Sequence, residues 1–274
     1  MELDTENLWR DAIGTEQGLA QRDVQDYSET MASYTACIQD RRDDDIGFMN
    51  LPDETELADR IARHAEDLRS WCTNFVVLGI GGSALGNITV HKALNHPQHN
   101  LLPADHEARG GAPRIFVLDN VDPDRVRGLM DVLSGELDTT AFNVITKSGS
   151  TAETMSQFLH VRDLLRRTDG CDPARQMTLT TDADPDESLL RRIAQKEGYT
   201  AFPIPDDVGG RFSVLSAVGL LSAAVGGVDI HALHRGAADM DEACKPEDVW
   251  DNPAALYALT QYLFFQDGKN ISVL

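Results

Sequence analysis

Between residues 55 and 70 the apolar positions Leu57, Ile61, Ala65 and Leu68 recur at intervals of three and four, the stripe of an amphipathic helix. Pro52-Asp53 just upstream supplies a start signal, and the chain from residue 1 to about 70 reads as helical. The period then changes. Phe75 to Ile80 is a short continuous apolar run, too short for a helix and interrupted by Gly79, as expected of a strand buried on both faces. Runs of the same kind return at Ile115–Leu118, Phe142–Thr146 and Met177–Thr180, with a weaker one at Thr200–Ile204. Helical segments separate them. One is expected from about Ala84 to Leu94, and one from about Thr151 to Arg167 with Met155, Phe158 and Leu159 on one face. A third is expected after Asp184-Pro185, read as an N-cap with proline at the first helical position, ending at Gly198. Alternation of strand and helix predicts an α/β fold, a doubly wound, mostly parallel sheet flanked by helices.

Beyond Gly210 a helical run from Val214 to Val225 closes on Gly226-Gly227, and another is expected from Ala254 to Phe265. The last residues, Ile271 to Leu274, read as a new apolar strand. An apolar strand left as an open edge invites aggregation, so the expectation is a fragment of a longer protein. The organisation expected is a helical segment over 1–70, a first α/β domain over 71–227, and connecting helices with the start of a second domain over 228–274.

Composition narrows the function classes. The 274 residues are 42% hydrophobic, ample for a packed core. Forty-five acidic residues against 24 basic ones leave a formal charge of −21, which disfavours nucleic acid and anionic membranes as partners. Only Lys92, Lys147, Lys196, Lys245 and Lys269 are lysines. Acid-rich, lysine-poor composition fits a salt-rich cytosol, where screening weakens self-repulsion; an acidic enzyme of ordinary salt fits equally. Cys37, Cys72, Cys171 and Cys244 are scattered and form no CxxC pair, as in a reducing compartment. The acidic N-terminus has no apolar leader segment and no stretch of about 18 apolar residues occurs. The expected location is the cytoplasm.

Three loops carry the candidate chemistry. The first strand runs into Gly79-Ile80-Gly81-Gly82-Ser83-Ala84-Leu85-Gly86 and a helix. Glycines there permit tight turns and let amide groups approach an anion at the positive end of the helix, with the Ser83 hydroxyl as a further donor. Tight strand-to-helix packing alone is the competing explanation. The third strand runs into Thr146-Lys147-Ser148-Gly149-Ser150-Thr151-Ala152-Glu153-Thr154, five hydroxyls in nine residues at a strand's carboxyl end. Hydroxyls donate to phosphate oxygens without adding charge. A capping box explains Ser150 and Glu153 but gives Ser148, Thr151 and Thr154 no role. Lys147 reads either as a counter-charge or as a surface lysine. In the third loop, Asp206 to Ser213, Gly209 and Gly210 let the backbone turn tightly beside Arg211, which is placed either to stabilise an oxyanion or to pair with Asp206 or Asp207. Loops at the carboxyl ends of parallel strands are where such sheets bind ligands.

In this order the three loops resemble the glucose-6-phosphate isomerase family: its glycine loop (Gly79 to Gly86), its Ser/Thr phosphate loop (Thr146 to Thr154) and its GGR signature (Asp207 to Ser213). The similarity extends from about Phe48 to the end, and the first two loops are shared with other sugar-isomerase (SIS) domains. The resemblance implies an SIS-type α-β-α sandwich. It implies interconversion of glucose 6-phosphate and fructose 6-phosphate, by proton transfer between C2 and C1 through a cis-enediol, with no cofactor and no metal. It implies that Gly82, Ser83, Lys147, Ser148, Ser150, Thr151, Glu153, Thr154 and Gly210 line the substrate site, that Arg211 is catalytic, and that the full-length protein is a homodimer. The family's general-base glutamate, ring-opening histidine and C-terminal lysine have no counterpart here, so these residues alone are expected to retain at most phosphate binding. Two rival readings stand: a non-catalytic SIS sensor of sugar phosphates, and a phosphoglucose/phosphomannose isomerase. A nicotinamide dehydrogenase is disfavoured, because Asp119 lies too far from Gly86 for a dinucleotide fingerprint.

Two further constellations are set aside. His91, His96, His99 and His106 have irregular spacing and read as solvated loop histidines rather than metal ligands. His231 and His234 read as a surface pair. The acidic clusters Asp43-Asp44-Asp45 and Asp182 to Asp186 lack a calcium-loop pattern and read as solvated turns.

Overall fold

The structure is a computed structural model that describes residues 3–271. The chain divides into two compact units: Asn50–His234, and the chain up to Met49 together with Arg235 onward.

The larger unit is built on five parallel strands, β1 (Asn74–Leu78), β2 (Arg114–Leu118), β3 (Thr140–Ile145), β4 (Met177–Thr181) and β5 (Thr200–Pro203), in the order β2-β1-β3-β4-β5. Side chains alternate between faces with period two. Phe75, Val77, Ala141, Ile145 and Phe202 enter one core, and Val76, Leu78, Phe142, Val144 and Leu179 enter the other. Both faces being dry explains why the strands read as continuous apolar runs.

Helices α1 (Thr55–Trp71), α2 (Gly82–Leu94) and α6 (Ala217–Val225) cover the first face. Helices α3 (Pro123–Val132), α4 (Ala152–Arg167) and α5 (Leu189–Glu197) cover the second. Right-handed crossovers account for this split. The chain leaves β1 toward β2 in one direction and returns past β1 to β3, β4 and β5 in the other, so its connecting helices fall on opposite faces. The doubly wound α/β architecture is therefore present, and its sheet is wholly parallel.

Several local expectations are corrected. Helix α5 starts at Leu189 with Ser188 as its cap, the Ser188 hydroxyl accepting from the Arg191 amide. Asp184-Pro185 lies in the preceding turn, where the Asp182 and Asp184 carboxylates accept from the Asp184 and Asp186 amides and hold the backbone out of helix. The run expected from Val214 is a 3₁₀ segment, Gly210–Leu215, broken at Ser216, whose hydroxyl caps α6. Leu159 points outward while Phe158 is buried. Helix α3 was signalled by the same Asp-Pro pair used elsewhere: Asp122 caps it and Pro123 is its first residue. A helix at Ile230–Ala243 also escaped the apolar pattern.

In the smaller unit, helices Ser28–Asp40 and Pro253–Gln266 contribute to a core of Val24, Val249, Ala255, Leu256 and Leu259. The half-buried Arg42 guanidinium donates to both carboxylate oxygens of Asp241 at 2.8 and 2.9 Å. Asn252 caps the last helix, which starts at Pro253, one residue ahead of the expected boundary. The strand expected at Ile271 to Leu274 lies, beyond Ile271, outside the described residues, and Ile271 itself is in no regular element. Among the described residues no helix is long and apolar enough to cross a membrane.

Candidate functional site

The sheet order reverses between β1 and β3, so the loops leaving these two strands diverge and open a crevice at their carboxyl ends. A cleft of about 680 Å³ lies there. Gly82 and Ser83 reach it from the first loop, and Thr146, Lys147, Ser148, Thr151 and Thr154 from the second. Gly210 comes from the third, and Asp182, Glu187 and Asp206 add three carboxyl groups. Of the residues expected to bind, Ser150, Glu153 and Arg211 do not line this cleft directly.

The second loop is shaped by its glycine. Gly149 has φ +62°, and a Cβ there would sit 2.5 Å from the Leu190 amide nitrogen and 2.6 Å from Ser188 Oγ, so both conformation and space require glycine. Past this turn the Ser150 hydroxyl and amide both donate to Ser148 Oγ, at 2.9 and 3.3 Å. A hydroxyl has two acceptor pairs and one hydrogen, so Ser148 keeps its hydrogen free to donate into the cleft. Thr146 and Thr151 bond to each other at 2.9 Å.

Ser150 is therefore engaged with Ser148 and forms no capping box with Glu153. The residue preceding α4 is Thr151, and no side chain caps the helix. Its first-turn amides and the positive end of its dipole are left for a ligand. One turn in, Thr154 is 1% exposed and its Oγ1 has no hydrogen-bond partner among the described residues. A buried hydroxyl without a partner costs about 1–3 kcal/mol, and an anion in the cleft would relieve that cost.

The third loop is docked onto the first by backbone contact. A Cβ at Gly82 would lie 2.1 Å from the Gly210 carbonyl oxygen and 2.3 Å from its carbon. Lys147 adds a second tie, its ammonium donating to the Asp206 carbonyl oxygen at 2.6 Å with the Asp206 carboxylate at 3.8 Å. Neither Asp206 nor Asp207 pairs with Arg211, whose exposed side chain has no ion-pair partner among the described residues.

The carboxyl groups are unequal. Asp206 is pushed up from the ordinary carboxylate range by its hydrogen bond to Asp182, with burial and Asp182's charge acting the same way. Asp182 is held down: burial opposes this, but the Asp184 amide, Asp206 and the Lys147 charge together favour its ionised form. Of the two, Asp206 is therefore the one that takes up a proton first as pH falls. Asp182 and Glu187 were not anticipated as cleft residues. They follow the carboxyl end of β4, and the rule that placed the other two loops would have pointed to them.

The histidines need correction. His99 is 1% exposed, its Nε2 bonded to the Pro113 carbonyl at 3.0 Å, and its ring packs edge-on to the half-buried His91 with centroids 5.0 Å apart. Burial, first of all, lowers the pKa of both. His234 is likewise buried against the Leu215 carbonyl, whereas His231 stays at the surface beside Asp59. Among the described residues no group of three potential ligands is arranged for a metal ion.

The sequence model of the family described as Phosphoglucose isomerase matches residues 52–269. Two curated relatives are named Glucose-6-phosphate isomerase. One, from Carboxydothermus hydrogenoformans, is 42% identical over all of this chain and 58% of its own length. The other, from Rubrobacter xylanophilus, is 41% identical over 97% of this chain and 59% of its own. The chain thus spans a little over half the length of these relatives. A crystal structure of a hypothetical protein from Thermus thermophilus superposes with a TM-score of 0.74 at 32% identity, over 90% of this chain and 54% of that one. The glucose-6-phosphate isomerase of Chlamydia trachomatis superposes at 0.60 with 25% identity, over 77% of this chain and 38% of that one.

Proposed function

Because the chain belongs to the phosphoglucose isomerase family, we propose that its protein interconverts glucose 6-phosphate and fructose 6-phosphate, and that the cleft at the sheet's switch point holds the substrate's phosphate. The Ser148 and Thr154 hydroxyls, Thr151, Ser83 and the first-turn amides of α4 are the donors in this reading. Such an array suits a tetrahedral dianion that needs several donors converging from one side. Gly82 and Gly210 let the backbones close around it, and Lys147 both faces the cleft and braces the third loop.

With the phosphate fixed, the sugar carbons extend toward the Gly209-Gly210-Arg211 turn. Proton removal from C2 places negative charge on the C1 oxygen, the O2 hydroxyl proton passes to O1, and proton return at C1 with C2=O formation completes the aldose-to-ketose change. The Arg211 guanidinium, exposed at the rim, is the group available to stabilise that enediolate. The contact between Gly82 and Gly210 is the observation that supports this assignment, since it brings the turn bearing Arg211 against the glycine loop at the cleft.

One carboxylate can remove and return the proton. Neither Asp182, engaged by Asp206 and the Asp184 amide, nor Asp206, engaged by Asp182 and Lys147, is suited to it. In this reading the base lies outside these 274 residues, and the chain alone binds substrate without turning it over. Titration calorimetry with fructose 6-phosphate and inorganic phosphate tests the binding half. Ser148→Ala with Thr151→Ala is expected to weaken both ligands; unchanged affinities would refute the loop assignment. Normal isomerase turnover by the 274-residue chain would refute the placement of the base.

A further inference from the structure

At the opposite, amino-terminal end of the sheet is a second cleft of about 540 Å³, to which both Arg69 and Arg109 contribute. Arg109 is only 8% exposed. Its Nε donates to the Ala112 carbonyl at 2.9 Å and its Nη1 to the Leu102 carbonyl at 2.7 Å, which fixes the guanidinium plane and leaves Nη2 uncommitted. Arg69 Nη2 donates to the Gly110 carbonyl at 3.1 Å, bringing a second guanidinium to the same wall.

Neither arginine has a carboxylate within ion-pair distance among the described residues, in a chain where acidic residues outnumber basic ones 45 to 24. Burial and the neighbouring Arg114 both work against the charge on Arg109. A buried charge is ordinarily paired, because desolvation is otherwise uncompensated. Two acidic residues do line this cleft. Asp229 accepts from the Ala232 amide at 2.9 Å and Glu107 is exposed, and neither is within ion-pair distance of Arg69 or Arg109. One fixed guanidinium group and a second, exposed one bonded to the same loop, both with unused donors and both lining one concave space, form a fork suited to an oxyanion.

We propose that this second cleft binds the oxyanionic group, phosphate or carboxylate, of a small metabolite, independently of the cleft at the carboxyl end of the sheet. Arg109 supplies the buried, pre-oriented donor, and Arg69 closes over the anion from the rim.

The test is amide-resolved NMR of the full 274-residue chain, titrated in separate arms with inorganic phosphate and with citrate. Gly110 and Asn95 report on this cleft, while Gly149 and Thr154 report on the first. The expected result is saturable shifts of Gly110 and Asn95 in at least one arm, and the arm that saturates at lower concentration assigns the anion class. Arg69→Gln is expected to weaken that binding roughly tenfold and to leave the Gly149 and Thr154 response unchanged. Arg109→Met is expected to abolish it. Because Arg109 also staples its own loop, R69Q carries the test if R109M fails to fold. Gly110 and Asn95 silent to both anions, or shifts indifferent to R69Q, would overturn the proposal and leave Arg109 as a loop staple alone.

Discussion

Replacing Gly82 with alanine isolates the contact on which the assembled site depends. The new methyl would lie 2.1 Å from the Gly210 oxygen, 2.3 Å from its carbon and 3.0 Å from the Arg211 nitrogen. Ordinary carbon–oxygen contact is near 3.4 Å, so the third loop must retreat by more than about 1 Å, and what it meets is backbone rather than a side chain that could rotate away. Overpacking of this kind costs roughly 1–3 kcal/mol, equivalent to a fall in melting temperature of about 2–10 °C for a domain of this size. The effect on binding is separate from the effect on stability. Gly210, which lines the cleft, and Arg211 move with the loop, so affinity for fructose 6-phosphate is expected to fall roughly tenfold, the worth of about one lost hydrogen bond. Calorimetric unfolding and fructose 6-phosphate titration on the same preparation separate the two effects. Gly128→Ala is the control: it lies inside α3 with open space around its would-be Cβ, and is expected to be neutral or stabilising by up to about 1 kcal/mol. A Gly82→Ala variant with unchanged melting temperature and affinity would show that the two loops are not held by this contact.

Two further outcomes follow from individual side chains. Thr154→Val removes a buried hydroxyl that has no partner among the described residues, so stability should hold or rise by up to about 1 kcal/mol while phosphate affinity falls roughly tenfold; equal losses in both would mean that the hydroxyl serves the fold. Glu197→Gln tests an ion cluster in the sheet's second face. Burial opposes ionisation of Glu197, but the Tyr199 hydroxyl at 2.8 Å and the Arg162 and Arg166 guanidinium groups prevail and hold it below the ordinary range. A depressed folded pKa stabilises above the unfolded value, near about pH 4.3, and that stability is lost as pH falls through the folded value. Wild type should therefore exceed E197Q by roughly 1–2 kcal/mol at neutral pH, with the gap closing below about pH 4; a gap independent of pH in urea unfolding would contradict this.

The sheet was legible in the sequence because burial on both faces leaves unbroken apolar runs, and the two anion loops because glycine and hydroxyls crowd the strand ends. What escaped was set by partners distant along the chain. His99 is buried by a carbonyl contributed 14 residues later, which spacing cannot reveal. The start of α5 moved because two aspartates cap turn amides ahead of Ser188, a competition between local hydrogen bonds and helix that an Asp-Pro pair does not decide. The capping box was a false match for a related reason: Ser148 outcompetes Glu153 for Ser150. Asp182 and Glu187 entered the cleft through topology, since β4 is the neighbour of β3 on the far side of the switch point.

The balance of charge around the cleft leads to a last expectation. A phosphate dianion approaches a chain of formal charge −21 and a cleft in which Lys147 stands against the ionised Asp182 and the nearby Glu187. Long-range repulsion slows such an encounter, and salt screens it, with a Debye length of about 10 Å at about 0.1 M. The donors that touch the anion are hydroxyls and amides, which act at hydrogen-bond distance and lose little to screening. Affinity for fructose 6-phosphate should therefore rise between about 0.02 and about 0.5 M potassium chloride, mainly through a faster association rate. Sites that hold phosphate by Lys and Arg behave oppositely, since salt weakens the attraction they depend on. Stopped-flow association across that range gives the sign. An affinity that falls steadily with salt would mean that the charges of Lys147 and Arg211, not the hydroxyl loop, dominate binding.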